Sequence, residues 1–360
     1  MVNLFCNTAP NISRRRFISI TAAAAGYIFA PNNTTLAKQE HAAELHKWHG
    51  VALGAETSIL ISAEPTQATV RLIRLCVSEI QRLEMIFSLY QHNSVLAKLN
   101  RVTKIHNPPR ELIELLDTCK EFHQLTNSAF DPTVQPLWAL YNNHFRDLSY
   151  SPTGPLVQKI NAVTSLVGFQ NVDMATKRIA LTKPGMAITL NGIAQGYITD
   201  RVVEILRDAG MHNVLVDIGE TRSLGAHPKG RPWRIGIADP HDPKKLIHEA
   251  EITNEAVATS GGYGMQFDAS GEFHHIFDPQ TGRPSKRYLS MTVFAPSATT
   301  ADALSTSFSI MPEIEIRRTL AKISSARAIA MTIDGTLLNI NSRHSQRVSE
   351  IPRNFTFVDS

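Results

Sequence analysis

Met186-Ala187-Ile188-Thr189-Leu190-Asn191-Gly192-Ile193-Ala194-Gln195-Gly196-Tyr197 opens the part of the chain whose pattern decides the fold. Met186–Leu190 is short and apolar, as a buried strand is. Two glycines follow. From Gly196 to Ala209 the residues Ile198, Val202, Ile205 and Leu206 share one helical face, and Gly210 is the stop. The alternation then continues. Val214–Ile218, Trp233–Ala238, Ala256–Thr259 and Ser290–Ala295 read as strands. Ala301–Met311 has helical spacing. Ala328–Ile333 is a strand, and Asp334-Gly335 turns into a last strand at Leu337–Ile340. Upstream lie a strand at Glu56–Ser62, a helix over 66–87 with Val70, Ile73, Val77, Ile80, Leu83 and Phe87 on one side, and a helix at Glu111–Leu125. Ala129–Tyr141 begins as a turn, and 150–155 is a loop. This mixture, without a linker or an internal repeat, predicts an α+β fold: antiparallel sheets with helices packed around them.

The 360 residues, 43% hydrophobic and 19% charged, suffice for a packed core without disulfide staples. Cys6 falls at the amino terminus, while Cys76 and Cys119 fall on apolar helix faces and read as core thiols; a bridge between them is the alternative. Residues 13–18 read Ser-Arg-Arg-Arg-Phe-Ile, followed by an apolar, alanine-rich run to Ala30 and a polar stretch ending Thr35-Leu36-Ala37. That order predicts an export signal of the twin-arginine type over 1–37, and hence a periplasmic protein whose folded domain spans 38–360. Removing Arg14, Arg15 and Arg16 takes the formal charge from +4 to 4 − 3 = +1, which gives no electrostatic reason to bind nucleic acid.

Four loops carry side chains with chemistry. Gly192 to Gly196 lets backbone N–H groups approach an anion at a helix start, although a plain tight turn needs the same residues. Val216-Asp217-Ile218-Gly219-Glu220 and Thr259-Ser260-Gly261-Gly262 are small-residue loops at strand ends. His274-His275-Ile276-Phe277-Asp278-Pro279-Gln280-Thr281-Gly282 holds two imidazoles and a turn; neighbouring histidines on an extended chain point apart, which argues against a zinc pair. Asp302 and Thr306 stand four apart on one helical face, with Leu304, Phe308 and Met311 on another. A carboxylate and a hydroxyl are hard oxygen ligands suited to Mg²⁺; Asp302 in a first helical turn also simply complements the helix dipole.

Taken in order, these blocks resemble the ApbE-type FAD:protein FMN transferases over roughly residues 47–312. The resemblance rests on Phe87-Ser88-Leu89-Tyr90 with Ser94 and Leu99-Asn100, Ala129-Phe130-Asp131-Pro132-Thr133-Val134, Gly192-Ile193-Ala194-Gln195-Gly196-Tyr197, Ala258-Thr259-Ser260-Gly261, His275 to Gly282 and Ala301-Asp302-Ala303. It implies one T-fold-like domain that binds FAD and, with Mg²⁺, passes FMN to a threonine hydroxyl of an acceptor protein. By the same resemblance Asp302, Thr306 and the carbonyl of Gly192 hold the metal. Leu53, Tyr90, Ala129, Phe130, Asp131, Thr189, Gln195, Ser260 and Phe277 contact FAD, and His275 is the candidate base. Thr189-Leu190-Asn191, Gln195 and the shortened Gly219-Glu220 depart from the usual family pattern. With the leader and the opening Trp48 to Ala55, they are similar to the NosX branch of nitrous-oxide reductase maturation, whose implied acceptor is the periplasmic flavin-binding domain of NosR. A flavin carrier without turnover and a Mg²⁺-dependent FAD pyrophosphatase are the alternative readings.

Overall fold

The structure, a computed structural model, describes residues 45–52, 55–64, 66–147 and 149–347. The leader over 1–37 and Leu53 lie outside the described residues. The chain begins with the hairpin β1 (Leu45–Ala52) and β2 (Ala55–Ser62), then α1 (Gln67–Phe87), α2 (Val95–Val102), β3 (Lys104–His106) and α3 (Arg110–Leu125). Next come α4 (Gln135–Arg146), α5 (Val157–Thr164), β4 (Val172–Ala175), β5 (Arg178–Leu181) and α6 (Ala194–Asp208). Then follow β6 (Val214–Asp217), β7 (Thr221–Leu224), β8 (Trp233–Ala238), β9 (Leu246–Ile252), β10 (Ala256–Gly261), β11 (Phe277–Asp278) and β12 (Arg283–Pro284). Last are β13 (Tyr288–Ala295), α7 (Ala298–Phe308), α8 (Glu313–Leu320), β14 (Arg327–Thr332), β15 (Leu337–Ile340) and β16 (Ser345–Arg347).

A nine-stranded antiparallel sheet in the order β1-β2-β6-β7-β10-β13-β14-β15-β16 organises the molecule. Side chains alternate across a strand, so a strand buried on both faces feeds two cores. Ile59 and Ile61, Val214 and Val216, Met291 and Val293, Ala328 and Ala330 face the helices and meet Ile80, Leu83, Leu115, Cys119, Val202 and Leu304. Between them Leu60, Leu215, Val257, Phe294 and Ile329 face the other way, onto Trp233, Ile235, Ile237 and Ile252 of the β8–β9 hairpin. The fold is a single α+β domain, helices on one side of the sheet and a hairpin on the other.

Two expectations change. Met186–Leu190 is extended but joins no sheet. The Asn100 side chain supplies the missing ladder, accepting from Ile188 N–H at 2.7 Å and donating to its carbonyl at 2.8 Å, while Thr189 N–H donates to Pro132 O at 2.8 Å. These bonds satisfy the backbone without a neighbouring strand. The helix read as Ala301–Met311 begins earlier, at Ala298, because Ser297 caps it by accepting from Thr300 N–H at 3.2 Å. Cys76 and Cys119 are free and buried, and burial pushes the Cys76 thiol up to about 12.

Candidate active site

Two helix ends make the floor of the main cleft. α6 and α7 touch through their backbones: a Cβ added at Gly196 would meet the Ala298 carbonyl oxygen at 2.3 Å. Only glycine lets the helices approach this closely. Gly196 N–H then donates to Asp302 Oδ2 at 3.0 Å. One turn further, Asp200 locks the start of α7. Its Oδ1 accepts from Ala298 N–H at 2.8 Å, its Oδ2 from Thr299 N–H at 2.9 Å and Thr299 Oγ1 at 2.5 Å, and Arg222 pairs with it at 2.5 Å. The turn before α6 is pressed onto the same spot, since a Cβ on Gly192 would lie 2.7 Å from Thr306 Oγ1. Ser260, near the end of β10, has its Oγ 2.8 Å from Ser305 Oγ and 3.4 Å from Thr306 Oγ1. Gly192, Ser260 and the Asp302–Thr306 pair, far apart in the chain, therefore meet at one point.

The cleft above this point spans about 1250 Å³ of space, open solvent included. Ala129, Phe130, Thr189, Gln195, Phe277 and His275, all singled out in the sequence, line it. Asp131 lies at the wall, but its carboxylate braces the loop. Oδ1 accepts from Thr133 N–H at 2.8 Å and Thr133 Oγ1 at 2.5 Å, Oδ2 accepts from Phe169 N–H at 3.2 Å, and His123 Nδ1 is 3.5 Å away. Those bonds cap the turn into α4 and leave little of the side chain for a ligand. Tyr90 stands apart: it is 60% exposed on the loop after α1 and is not among the residues lining the cleft.

Residues that the sequence reading did not commit to complete the wall. Trp138, on α4, donates its indole N–H to Met265 Sδ at 3.3 Å, and both face the cleft. Trp138 lies in the Ala129–Tyr141 segment that the sequence marks only by its opening turn, and Met265 belongs to no motif. Glu220 was visible in its loop, but nothing in the sequence showed it to be buried.

Burial dominates the electrostatics. It raises Asp302 to about 7, against the opposing effect of the Gly196 N–H, with Asp200 adding repulsion. Glu220 is pushed well above the ordinary carboxylate range by burial and then by Asp302 and Asp217. Asp131 is raised by burial despite its hydrogen bonds to Thr133. Among the described residues the lining carries Asp131, Glu220 and Asp302, one histidine, and no lysine or arginine. The His275 Nδ1 lies 3.1 Å from the Met265 carbonyl oxygen. A carbonyl only accepts, so Nδ1 carries a hydrogen.

The family model described as "ApbE family" matches residues 53–330. An FAD:protein FMN transferase of Vibrio cholerae is 32% identical over 289 residues, covering 77% of this chain and 85% of that protein. One of Haemophilus influenzae is 29% identical over 275 residues, covering 73% and 79%. The crystal structure of the ApbE protein of Thermotoga maritima has a TM-score of 0.72 at 29% identity, over 82% of this chain and 97% of that one. The flavin transferase ApbE of Vibrio cholerae has a TM-score of 0.69 at 25% identity, over 83% and 98%. The matched span holds both helices that meet at Gly196 and every described residue lining the cleft, and the chain belongs to the ApbE family.

Proposed function

We propose that the protein is an FAD:protein FMN transferase that binds FAD in this cleft and, with Mg²⁺, joins its FMN half to a threonine hydroxyl of another protein, releasing AMP. One observation carries the reading: the lining holds three carboxylates and no lysine or arginine among the described residues. A pyrophosphate is an anion, and a wall of acids with no basic side chain suits it best with a cation between them, which also favours the ionised form of those acids. The oxygens for that cation are at hand in Asp302, Thr306 Oγ1 and the Gly192 carbonyl. No group of three or more His, Cys, Asp or Glu side chains forms a cage among the described residues. Mg²⁺ takes few protein ligands and the rest from phosphate and water, so the oxygens of Asp302, Thr306 and Gly192 would be enough to hold it. Bound there, the ion neutralises charge on the pyrophosphate.

The chain's own residues do the rest. Phe130, Trp138, Met265 and Phe277 offer an apolar wall for the flavin ring. The acceptor hydroxyl attacks the phosphorus on the riboflavin side. A new P–O bond forms to threonine, the bond to the bridging oxygen breaks, and AMP departs with that oxygen. Such a transfer needs alignment and charge neutralisation more than covalent help. His275 Nε2 takes the hydroxyl proton.

The leader and the Trp48 to Ala55 opening support export to the periplasm and the NosX branch, with the flavin-binding domain of NosR as acceptor. Incubating the protein with FAD, Mg²⁺ and that domain tests the whole reading. FMN-sized mass gain on the acceptor with stoichiometric AMP is the expected result. Free FMN without an acceptor indicates a pyrophosphatase instead, and bound FAD with no turnover a carrier.

A further inference from the structure

Glu220 is given no ligand role in the reading above, yet it is an acid inside the cleft that the fold leaves incompletely satisfied. It ends the turn after β6, where its backbone carbonyl accepts from Ile218 N–H at 3.1 Å and from Thr199 Oγ1 at 3.2 Å. The residue is 7% exposed, lines the cleft, and its Oε2 has no hydrogen-bond partner. Gln195 lies against the preceding residue: a Cβ built on Gly219 would fall 2.4 Å from the Gln195 Nε2. That amide nitrogen, on a residue 5% exposed, also lacks a partner. Buried carboxylates are ordinarily paired or bound to metal. Neither lysine nor arginine lines this cleft, and the Gln195 amide carries no charge to offset an acid. Two buried acids, Asp302 and Glu220, thus face one space without a matching base. The arrangement fits a counter-charge that arrives from solution.

We propose that Glu220 contributes Oε2 to the coordination of the divalent cation held by Asp302, Thr306 and the Gly192 carbonyl. The assignment rests on the cation reading given under the proposed function. Glu220 then makes the site more anionic than Asp302 alone can, so that a cation is retained before FAD brings its own phosphate oxygens.

Mn²⁺ binding to the purified chain without FAD, followed by electron paramagnetic resonance and calorimetry, tests this without any turnover. The wild type is expected to bind one Mn²⁺. Glu220→Gln, nearly the same shape, should weaken that binding at least tenfold with an unchanged or higher melting temperature in the absence of metal. Affinity for Mn²⁺ within twofold of wild type overturns the assignment while leaving the cation at Asp302 intact. If the wild type takes up no Mn²⁺ at all, the cation reading of the cleft fails, and this inference with it. Should Glu220→Gln not fold, Glu220→Asp decides: the charge is kept but the arm shortened, so a weakened Mn²⁺ affinity in a normally melting protein supports coordination, and wild-type affinity refutes it.

Discussion

Asp302 is a carboxylate that burial holds near neutrality, at about 7, next to Thr306 and a glycine that cannot be replaced without a clash. Asp302→Ala is expected to lower FMN transfer by about a hundredfold or more while the chain stays folded; AMP release and circular dichroism check both halves. His275→Gln should lower transfer by about 10²-fold with FAD binding retained, because a general base contributes on that order; flavin fluorescence titration separates binding from rate. Its neighbour His274 behaves differently. It is buried, its Nε2 faces the Ser285 carbonyl at 2.8 Å and its Nδ1 accepts from Ile276 N–H at 3.3 Å, so the ring is neutral. Burial lowers its pKa below the ordinary value near 6.5. In the window below 6.5 and above that lowered value, the unfolded chain binds the proton and the native chain does not. Stability therefore rises with pH across the window and is lost as pH falls below 6.5. Urea unfolding from pH 7.5 downward should show this slope, and His274→Gln should reduce it; His227 and His248, also lowered by burial, account for a remainder. Asp302 and His275 could be singled out in the sequence by residue type, spacing and the blocks around them. That Glu220 and Trp138 line the cleft could not be read there, because a glutamate after a turn and a tryptophan in a helix are ordinary until their surroundings are known.

At the scale of elements, the site depends on how α6 and α7 are held. Asp200 offers its carboxylate to two N–H groups in the first turn of α7, which have no partner within the helix. Asp200→Ala leaves both of them and Arg222 unpaired. A loss of roughly 2–4 kcal/mol in stability and weaker Mn²⁺ uptake are expected, measured by denaturant titration and metal binding on the same preparation. Gly196→Ala should act on the same joint by forcing the helices apart, with FMN transfer falling more steeply than the melting temperature. The helices themselves were readable from periodicity, since α1, α3 and α6 begin and end within two residues of their expected bounds. The run at Met186–Leu190 was not, because an apolar stretch does not reveal whether its backbone will meet a strand or, as here, the amide of Asn100.

At the scale of the whole molecule, the sheet is covered twice, and the two covers do different work. The helix side carries the cleft, and the hairpin side closes the second core around Trp233, which is 2% exposed and donates to the Gly225 carbonyl at 3.1 Å. Trp233→Ala should cost about 3–5 kcal/mol, read as an earlier midpoint in urea, yet leave FAD affinity of the folded protein unchanged because the cleft lies on the opposite face. The sequence by itself determined the mixed helix and strand content and the order of blocks that marks the family, since these depend on residue type and local period alone. It could not say which strands pair, that β8 and β9 leave the main sheet to cap its far side, that Tyr90 stays outside the cleft, or that the Asp131 carboxylate is consumed in bracing a loop. Those outcomes were decided by tertiary structure, because they depend on which surfaces are buried together and which polar atoms find partners across distances of tens of residues. No local pattern encodes that information.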